Sequence, residues 1–178
     1  MIYLFLADGF EEIEALTPVD MLRRAGKDIC TVGVGKKNVT GAHGISVIAD
    51  MCETEYDDKA PEMVILPGGM PGTLNLDACV TVHKAIDAAL ANGTFVAAIC
   101  AAPTILGKRG LLKGKQATCY PGMENDLCGA FLSDMPVVRD GNIITARGMG
   151  VALPFSLTLV AALCGKEISE KLKKAVVS

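Results

Sequence analysis

The sequence predicts an α/β fold in which helices cover both faces of a mostly parallel sheet. Short apolar runs alternate along the chain with segments of helical periodicity, and these runs are apolar almost throughout rather than at every second residue. The length agrees, since 178 residues, 51% of them hydrophobic, suffice for the core of one ordinary domain. Because neither an internal repeat nor a linker-like stretch divides the chain, we expect a single domain over residues 1–178.

The first two elements are a strand from Ile2 to Ala7, apolar throughout, and a helix over 11–25, with apolar side chains near one face. Pro18 lies inside that helix, and because proline has no backbone N–H, we expect a kink or a restart there. Short apolar runs predict the remaining strands, at residues 29–34, 45–49, 63–66, 95–99, 116–120, 137–139 and 143–146. Helical periodicity predicts the remaining helices, at residues 80–90, 101–108, 152–163 and 166–174.

Charge and composition argue against several classes of protein. Lys and Arg number 17 against 20 Asp and Glu, and aromatic residues make up 4%, so we expect neither a basic surface nor a stacking platform for nucleic acid. The longest apolar run, 151–164, is shorter than the roughly 20 residues of a membrane span. The N-terminus lacks the basic start of a signal peptide. We therefore expect a cytosolic protein without a nucleic-acid or membrane partner.

Seven cysteines occur singly along the chain, with no Cys-x-x-Cys pair. Their odd number argues against a disulfide framework. His43 and His83 are the only histidines, so a Cys/His metal site is not expected. We expect free thiols in a reducing compartment, most of them packed as small hydrophobic side chains.

The segment from Val96 to Pro103 is the strongest local signal of chemistry. A buried strand runs directly into a helix, Cys100 occupies the corner, and small neighbours allow the tight turn of a nucleophile elbow. A helix N-terminus favours thiolate, which predicts a pKa of Cys100 below the usual value of about 8.5. The alternative is a buried cysteine that ends a core strand, and the local pattern leaves both open.

Two further segments could complete a site around this cysteine. Glu14 lies just before Pro18, and a disrupted turn there would aim its carboxyl over the sheet edge, where a raised pKa would let it donate a hydrogen bond to sulfur. Amides of the loop at 67–72, with that of Ala101, could form an oxyanion site, although an ordinary turn is the alternative. No imidazole base is evident beside Cys100.

Several motifs follow one another along the chain in a fixed order. They are Gly9-Phe10-Glu11-Glu12-Ile13-Glu14, Pro18-Val19-Asp20, Arg23-Arg24-Ala25-Gly26, Leu66-Pro67-Gly68-Gly69, Ala98-Ile99-Cys100-Ala101-Ala102-Pro103, Thr118-Cys119-Tyr120-Pro121 and Thr145-Ala146-Arg147-Gly148. The combination resembles the ThiJ/PfpI superfamily, and within it the branch of the parkinsonism-associated protein deglycase and its bacterial relatives. The resemblance covers essentially the whole chain.

This resemblance implies a flavodoxin-like sandwich, of the class I glutamine amidotransferase-like kind, that forms a homodimer and needs no cofactor. It implies that Cys100 is the reactive, easily oxidised thiol and that Glu14 is a protonated carboxyl bonded to its sulfur. The amides of Gly69 and Ala101 correspond to the oxyanion site. Two departures stand out, because Ala101 replaces the histidine of family peptidases and Tyr120 replaces the histidine of the deglycase branch.

The leading hypothesis is a protein that uses the Cys100 thiolate against small reactive carbonyls, or against glycated thiols and amines, with Tyr120 as a possible substrate contact. The alternative is a non-catalytic oxidative-stress sensor or chaperone, in which Cys100 oxidises to sulfinate. Cys119, near the site in the family pattern, is a candidate second redox centre. Peptidase activity is not expected, because Ala101 cannot supply the imidazole of a Cys-His pair.

Overall fold

Seven strands form one central sheet in the computed structural model, which describes residues 1–57 and 60–178. The strands in chain order are β1 (Ile2–Leu6), β2 (Ile29–Gly33), β3 (Asn38–Thr40), β4 (Ser46–Ile48), β5 (Met51–Cys52), β6 (Met63–Leu66), β7 (Phe95–Ile99), β8 (Gln116–Ala117), β9 (Phe131–Leu132), β10 (Val137–Asp140) and β11 (Ile143–Ala146). The central sheet has the order β10-β11-β7-β6-β1-β2-β5. Its neighbours are parallel except for β10 and β11.

The inner parallel strands have the spatial order β2-β1-β6-β7-β11, which is the 2-1-3-4-5 arrangement of flavodoxin-like folds. This confirms the predicted fold class. Leu66 at the end of β6 pairs with Ala98 near the end of β7, and Ile99 pairs with Ala146 at the end of β11. The loops that follow these three strands therefore emerge side by side at the carboxyl edge of the sheet, where such folds bind ligands.

Helices cover both faces of this sheet. They are α1 (Glu12–Arg24), α2 (Gly72–Asp77), α3 (Val80–Ala91), α4 (Pro103–Lys108), α5 (Ala152–Cys164) and α6 (Lys166–Ala175). Alternate residues of each strand enter two separate cores, one shared with α1 and α5 and the other with α3 and α4. The strands are apolar throughout because both of their faces are buried. Within the part of the chain that the structure describes, no helix has the length and apolar character to cross a bilayer.

Four predicted elements need correction. The run at 45–49 yields β4, which pairs with β3 in a separate hairpin rather than in the central sheet. The strand predicted at 116–120 stops at Ala117, because the Thr118 N–H donates to the side chain of Thr145 (3.0 Å). The helix predicted from Ala101 begins at Pro103, and α1 continues through Pro18 without a restart. Helix α2 and strands β3, β5 and β9 were not predicted.

Candidate functional site

Cys100 occupies the corner between β7 and α4 in a backbone conformation that side chains rarely adopt. Its φ of 64° lies in the left-handed region, which costs on the order of 1–3 kcal/mol for a non-glycine residue and is typical of functional sites. Two backbone hydrogen bonds hold it there, from the Cys100 N–H to the Ala146 oxygen (2.9 Å) and from the Tyr120 N–H to the Cys100 oxygen (2.8 Å). Cys100 therefore lies at a strand-to-helix corner, as predicted, and is partly exposed there.

The Glu14 carboxyl is buried against this corner. It lies in α1, is 1% exposed, and accepts a hydrogen bond on Oε2 from the Gly68 N–H (2.9 Å). The carboxyl also adjoins the Cys100 side chain, and each group shifts the pKa of the other. Because α1 is continuous through Pro18, the inward direction of Glu14 follows from its position on the buried face of the helix and not from a broken turn.

The glycine loop after β6 closes around the sulfur, and two of its residues must lack a side chain. A Cβ on Gly68 would lie 2.6 Å from the Cβ of Cys100 and 2.7 Å from Oε2 of Glu14. Gly69 has a φ of 90°, and a Cβ there would lie 2.4 Å from the Glu11 nitrogen. Because these glycines lack side chains, the backbone approaches the sulfur closely, and the N–H groups of Gly69 and Ala101 lower the pKa of the Cys100 thiol.

Burial shifts both acid–base groups of the site in the same direction. Burial raises the pKa of Glu14 to about 7, against the lowering effect of hydrogen bonds from Cys100 and the Gly68 amide. Burial and then the charge of Glu14 raise the pKa of Cys100 to about 12, although the Gly69 and Ala101 amides lower it. The prediction that the corner position depresses the pKa of Cys100 is therefore wrong.

The proton on Glu14 determines how strongly the thiolate is disfavoured. An ionised Glu14 repels a thiolate and accepts the thiol proton, whereas a protonated Glu14 is uncharged and donates a hydrogen bond to sulfur. The two contributions of Glu14 to the raised pKa of Cys100 thus disappear with that protonation, whereas the raising effect of burial and the lowering effect of the two amides remain. When Glu14 and Cys100 share a single proton, Cys100 is a thiolate only while Glu14 carries that proton.

Tyr120 lies at the exposed side of the site. Its side chain is 52% exposed, and a Cβ on Gly148 would lie 3.5 Å from its Cδ2 atom and 3.9 Å from Oε1 of Glu14. The phenol ring and the carboxyl therefore flank the bare backbone of Gly148. Glu14, Gly69 and Ala101 all act on the pKa of the Cys100 thiol, so the structure brings four of the five candidate residues together and places Tyr120 at their edge.

His43 faces the start of α1 from the turn between β3 and β4. Its Nδ1 lies 2.9 Å from Oε2 of Glu12 and 3.5 Å from Oε2 of Glu11, and its backbone N–H donates to Oε1 of Glu12 (2.8 Å). This contact could not be predicted from the sequence, because helix-dipole stabilisation already explained both acidic residues. Glu11, Glu12 and His43 have the donor types of a metal site, but N–H groups already occupy both oxygens of Glu12, so we assign no metal there.

The remaining cysteines and the second histidine lie apart from this site. His83 is in α3, where its Nε2 lies 2.6 Å from the Asp77 backbone oxygen. Cys119 packs in the core shared with α3 and α4, whereas Cys100 packs against the opposite core. All seven cysteines are free thiols. Cys119 and Cys100 thus pack against different apolar cores, and the structure does not pair their sulfurs as a disulfide.

Known proteins resemble the chain over most of its length. It is 40% identical over 165 residues to Protein DJ-1 homolog B of Arabidopsis thaliana, covering 91% of this chain but only 38% of that longer protein. It is 30% identical over 167 residues to the glutathione-independent glyoxalase DJR-1.2 of Caenorhabditis elegans, covering 92% of this chain and 88% of the relative. A protein from Pyrococcus abyssi that is named a deglycase is 32% identical over 155 residues, with 84% and 90% covered.

A solved structure and a family model also match the chain. The solved structure of oxidized DJ-1 from Toxoplasma gondii superposes with a TM-score of 0.95 at 29% identity, covering 99% of this chain and 97% of that one. The DJ-1/PfpI family model matches residues 1–162, a range that contains every residue of the Cys100 site. The chain therefore belongs to the DJ-1/PfpI family.

Proposed function

We propose that this protein converts small reactive carbonyl compounds, with the Cys100 thiolate as nucleophile. The observation that carries the proposal is the set of groups around one sulfur, namely a buried carboxyl with a pKa near neutrality and two backbone N–H donors. Relatives named a glyoxalase and a deglycase support the same class of substrate. The partly exposed position of Cys100 suits a small aldehyde better than a folded polypeptide.

The first step is addition of the thiolate to the aldehyde carbon of an α-oxoaldehyde. The carbon–sulfur bond forms as the carbonyl π electrons move to oxygen, and the amides of Gly69 and Ala101 stabilise the resulting negative charge. Glu14 then gives its proton to that oxygen, which yields a hemithioacetal, and the carboxylate it leaves can accept a proton from carbon in the next step. Tyr120, at the exposed side, donates a hydrogen bond to the second carbonyl group of the substrate.

A second candidate function, oxidative-stress sensing, uses the same sulfur. Peroxide would transfer oxygen to Cys100 and be reduced to water, giving first a sulfenate and then a sulfinate. The Gly69 and Ala101 amides and a protonated Glu14, which act on the Cys100 thiol, would then donate hydrogen bonds to those oxygens. The similar structure of an oxidized relative favours this candidate over the other non-enzymatic possibilities.

The experiment that tests the enzyme measures methylglyoxal consumption in a buffer free of nucleophiles. We expect Cys100→Ser to lose activity by at least about 10³-fold, whereas Cys128→Ser, which changes an exposed cysteine elsewhere, keeps it. Equal rates for wild type and Cys100→Ser would refute the enzymatic proposal. Mass spectrometry after mild peroxide tests the sensor in the same samples, since oxygen must then appear first on Cys100.

We further propose a cytosolic homodimer in which residues 1–178 form one domain. Helix α1 and the β3–β4 hairpin carry four exposed apolar side chains, Ile13, Leu16, Ile45 and Ile48. Exposed apolar patches are typical of protein interfaces. Light scattering should then report a dimer that Leu16→Glu converts to a monomer. Met135→Lys, a matched change at an exposed apolar residue elsewhere, should leave the dimer intact.

A further inference from the structure

Gly68, Gly69 and Gly148 border the Glu14–Cys100 pair, and crowding requires a glycine at the first two of these positions but not at the third. A Cβ on Gly68 would lie 2.6 Å from the Cβ of Cys100, and one on Gly69 would lie 2.4 Å from a backbone nitrogen. A Cβ on Gly148 would instead meet its nearest neighbours at 3.5 and 3.9 Å, which are ordinary van der Waals distances. The φ of Gly148 is 163°, which is extended backbone that any residue adopts. Neither packing nor backbone conformation therefore requires a glycine at position 148.

The absence of a side chain at this position leaves a gap beside the reacting groups. The Gly148 gap is the space over the Gly148 α carbon, between the Cδ2–Cε2 edge of the Tyr120 ring (3.5 and 3.9 Å from the Cβ position) and Oε1 of Glu14 (3.9 Å). Every atom of Cys100 lies at least 3.9 Å from that Cβ position. Gly148 is partly exposed and Tyr120 is half-exposed, and neither is among the residues proposed for the dimer interface. A small molecule can therefore reach the gap from solvent.

Hydrogen bonds hold the borders of the gap beside the sulfur. The Cys100 N–H donates to the Ala146 oxygen (2.9 Å), which places the residues that follow β11 next to the Cys100 corner. The Tyr120 N–H donates to the Cys100 oxygen (2.8 Å). The Gly68 N–H donates to Oε2 of Glu14 (2.9 Å), and the other carboxyl oxygen, Oε1, faces the gap. The ring and the carboxyl are thus fixed on either side of the gap.

We propose that Gly148 is a specificity-determining residue whose gap receives the carbon substituent on the second carbonyl of an α-oxoaldehyde, such as the methyl group of methylglyoxal. The inference rests on the proposed function and specifies its substrate. When the aldehyde carbon is bonded to sulfur and its oxygen lies at the Gly69 and Ala101 amides, the second carbonyl carbon is one bond farther out. The oxygen and the substituent of that carbon point in different directions. An oxygen that accepts a hydrogen bond from the Tyr120 hydroxyl therefore leaves the substituent to the gap.

The test compares methylglyoxal with glyoxal, which has hydrogen in place of the methyl group. Gly148→Ala places the alanine methyl group in the gap. We expect kcat/KM for methylglyoxal to fall by about 10-fold, the low end of the discrimination that one carbon group gives in a pocket, and kcat/KM for glyoxal to stay within about 2-fold. Adding Tyr120→Ala removes the ring edge that borders the gap, so the ratio of the two kcat/KM values should return towards that of wild type.

Gly150→Ala is the matched control. Gly150 follows Gly148 by two residues, and within the described part of the chain a Cβ there would meet no atom within 4 Å. Both kcat/KM values should therefore equal those of wild type. An equal loss for the two aldehydes in Gly148→Ala, or an unchanged ratio of their kcat/KM values, would overturn the inference.

A second measurement follows addition to the sulfur without requiring turnover. Each aldehyde protects Cys100 from iodoacetamide while it is bound as a hemithioacetal, and mass spectrometry of the Cys100 peptide reports the protected fraction. We expect Gly148→Ala to need about 10-fold more methylglyoxal than wild type for half protection, but no more glyoxal. This selectivity without turnover in wild type would refute the proposed enzyme and keep the inference. Equal protection of Gly148→Ala and wild type by methylglyoxal would refute the inference alone, and a wild-type thiol that neither aldehyde protects would refute both.

Discussion

Two cysteines of this protein are joined by a single residue but lie in different chemical environments. The Tyr120 N–H donates to the backbone oxygen of Cys100 (2.8 Å), and the Cys119 sulfur donates to the oxygen of Tyr120 (3.4 Å). Burial raises the pKa of both thiols, to about 12 for Cys100 and about 11 for Cys119. Burial alone therefore does not distinguish a reactive cysteine from an inert one.

The difference lies in what surrounds each sulfur. Cys100 receives two backbone N–H groups and a carboxyl that can hold a proton near neutral pH. Cys119 is 2% exposed, packs among apolar side chains, and acts as a hydrogen-bond donor. A thiolate at Cys100 has donors to stabilise it once Glu14 is protonated, whereas one at Cys119 would be buried within the apolar core.

Glu14→Gln is the substitution that we expect to change the contrast between Cys100 and Cys119 most. Glutamine can still hydrogen-bond sulfur but cannot transfer a proton, so we expect methylglyoxal turnover to fall by about 10²–10⁴-fold. The alkylation rate of Cys100 by iodoacetamide should change far less, because no proton has to be returned to a substrate. Paired kinetic and alkylation assays at pH 7 measure both effects.

Glu124→Gln is the matched control for that variant. Glu124 is the acidic residue that most raises the pKa of Cys119, so Glu124→Gln changes the surroundings of the other cysteine. Turnover should remain at the wild-type level. If Glu14→Gln were as active as Glu124→Gln, the carboxyl would have no part in the chemistry and Cys100 would differ from Cys119 in exposure alone.

The contrast also indicates which parts of the molecule could be predicted from sequence. The corner at Cys100 could, because a buried apolar run, small neighbours and Pro103 are adjacent in the chain. The strands 63–66, 95–99 and 143–146 were predicted with the bounds that the structure has. Local sequence sufficed wherever an element is buried on both faces.

Contacts between distant segments could not be predicted in this way. His43 and Glu12 are 31 residues apart, and the hairpin that brings them together is a pair of three-residue strands with weak apolar patterning. The raised pKa of Cys100 was missed for a related reason, since burial and the approach of Glu14 depend on the packing of α1 on the sheet. The continuity of α1 through Pro18 likewise reflects packing that outweighs a missing hydrogen bond.

A second prediction extends the comparison to stability, because the Cys100 site contains a carboxyl with a pKa raised by folding. The pKa of Glu14 rises from 4.5 to about 7, so the folded protein binds this proton more tightly than the unfolded chain does. The stability it contributes is fully present below pH 4.5 and is lost as the pH rises through about 7. We expect a loss of up to about 3 kcal/mol in the free energy of unfolding from this group.

Urea unfolding at pH 5 and pH 8 measures that loss. Glu14→Gln cannot titrate, so its stability should change less than that of wild type between the two pH values. Glu124→Gln, beside Cys119, should keep the wild-type dependence. Parallel pH dependences for wild type and Glu14→Gln would mean that the buried carboxyl is ionised throughout, and the proton-sharing account of the pair would fail.

The smallest expected effect belongs to Tyr120, the residue that links the two cysteines. The backbone of Tyr120 hydrogen-bonds both cysteines. Its ring lies beside the Cys100 site, across Gly148 from the Glu14 carboxyl. Tyr120→Phe removes one hydroxyl from a half-exposed ring, and loss of a single hydrogen bond of about 0.5–1.5 kcal/mol predicts a fall of roughly 2- to 12-fold in kcat/KM for methylglyoxal. Stability and Cys119 alkylation should not change. An unaltered kcat/KM would show that the phenol does not contact the substrate, and that the position occupied by histidine in the deglycase branch has no catalytic role in this chain.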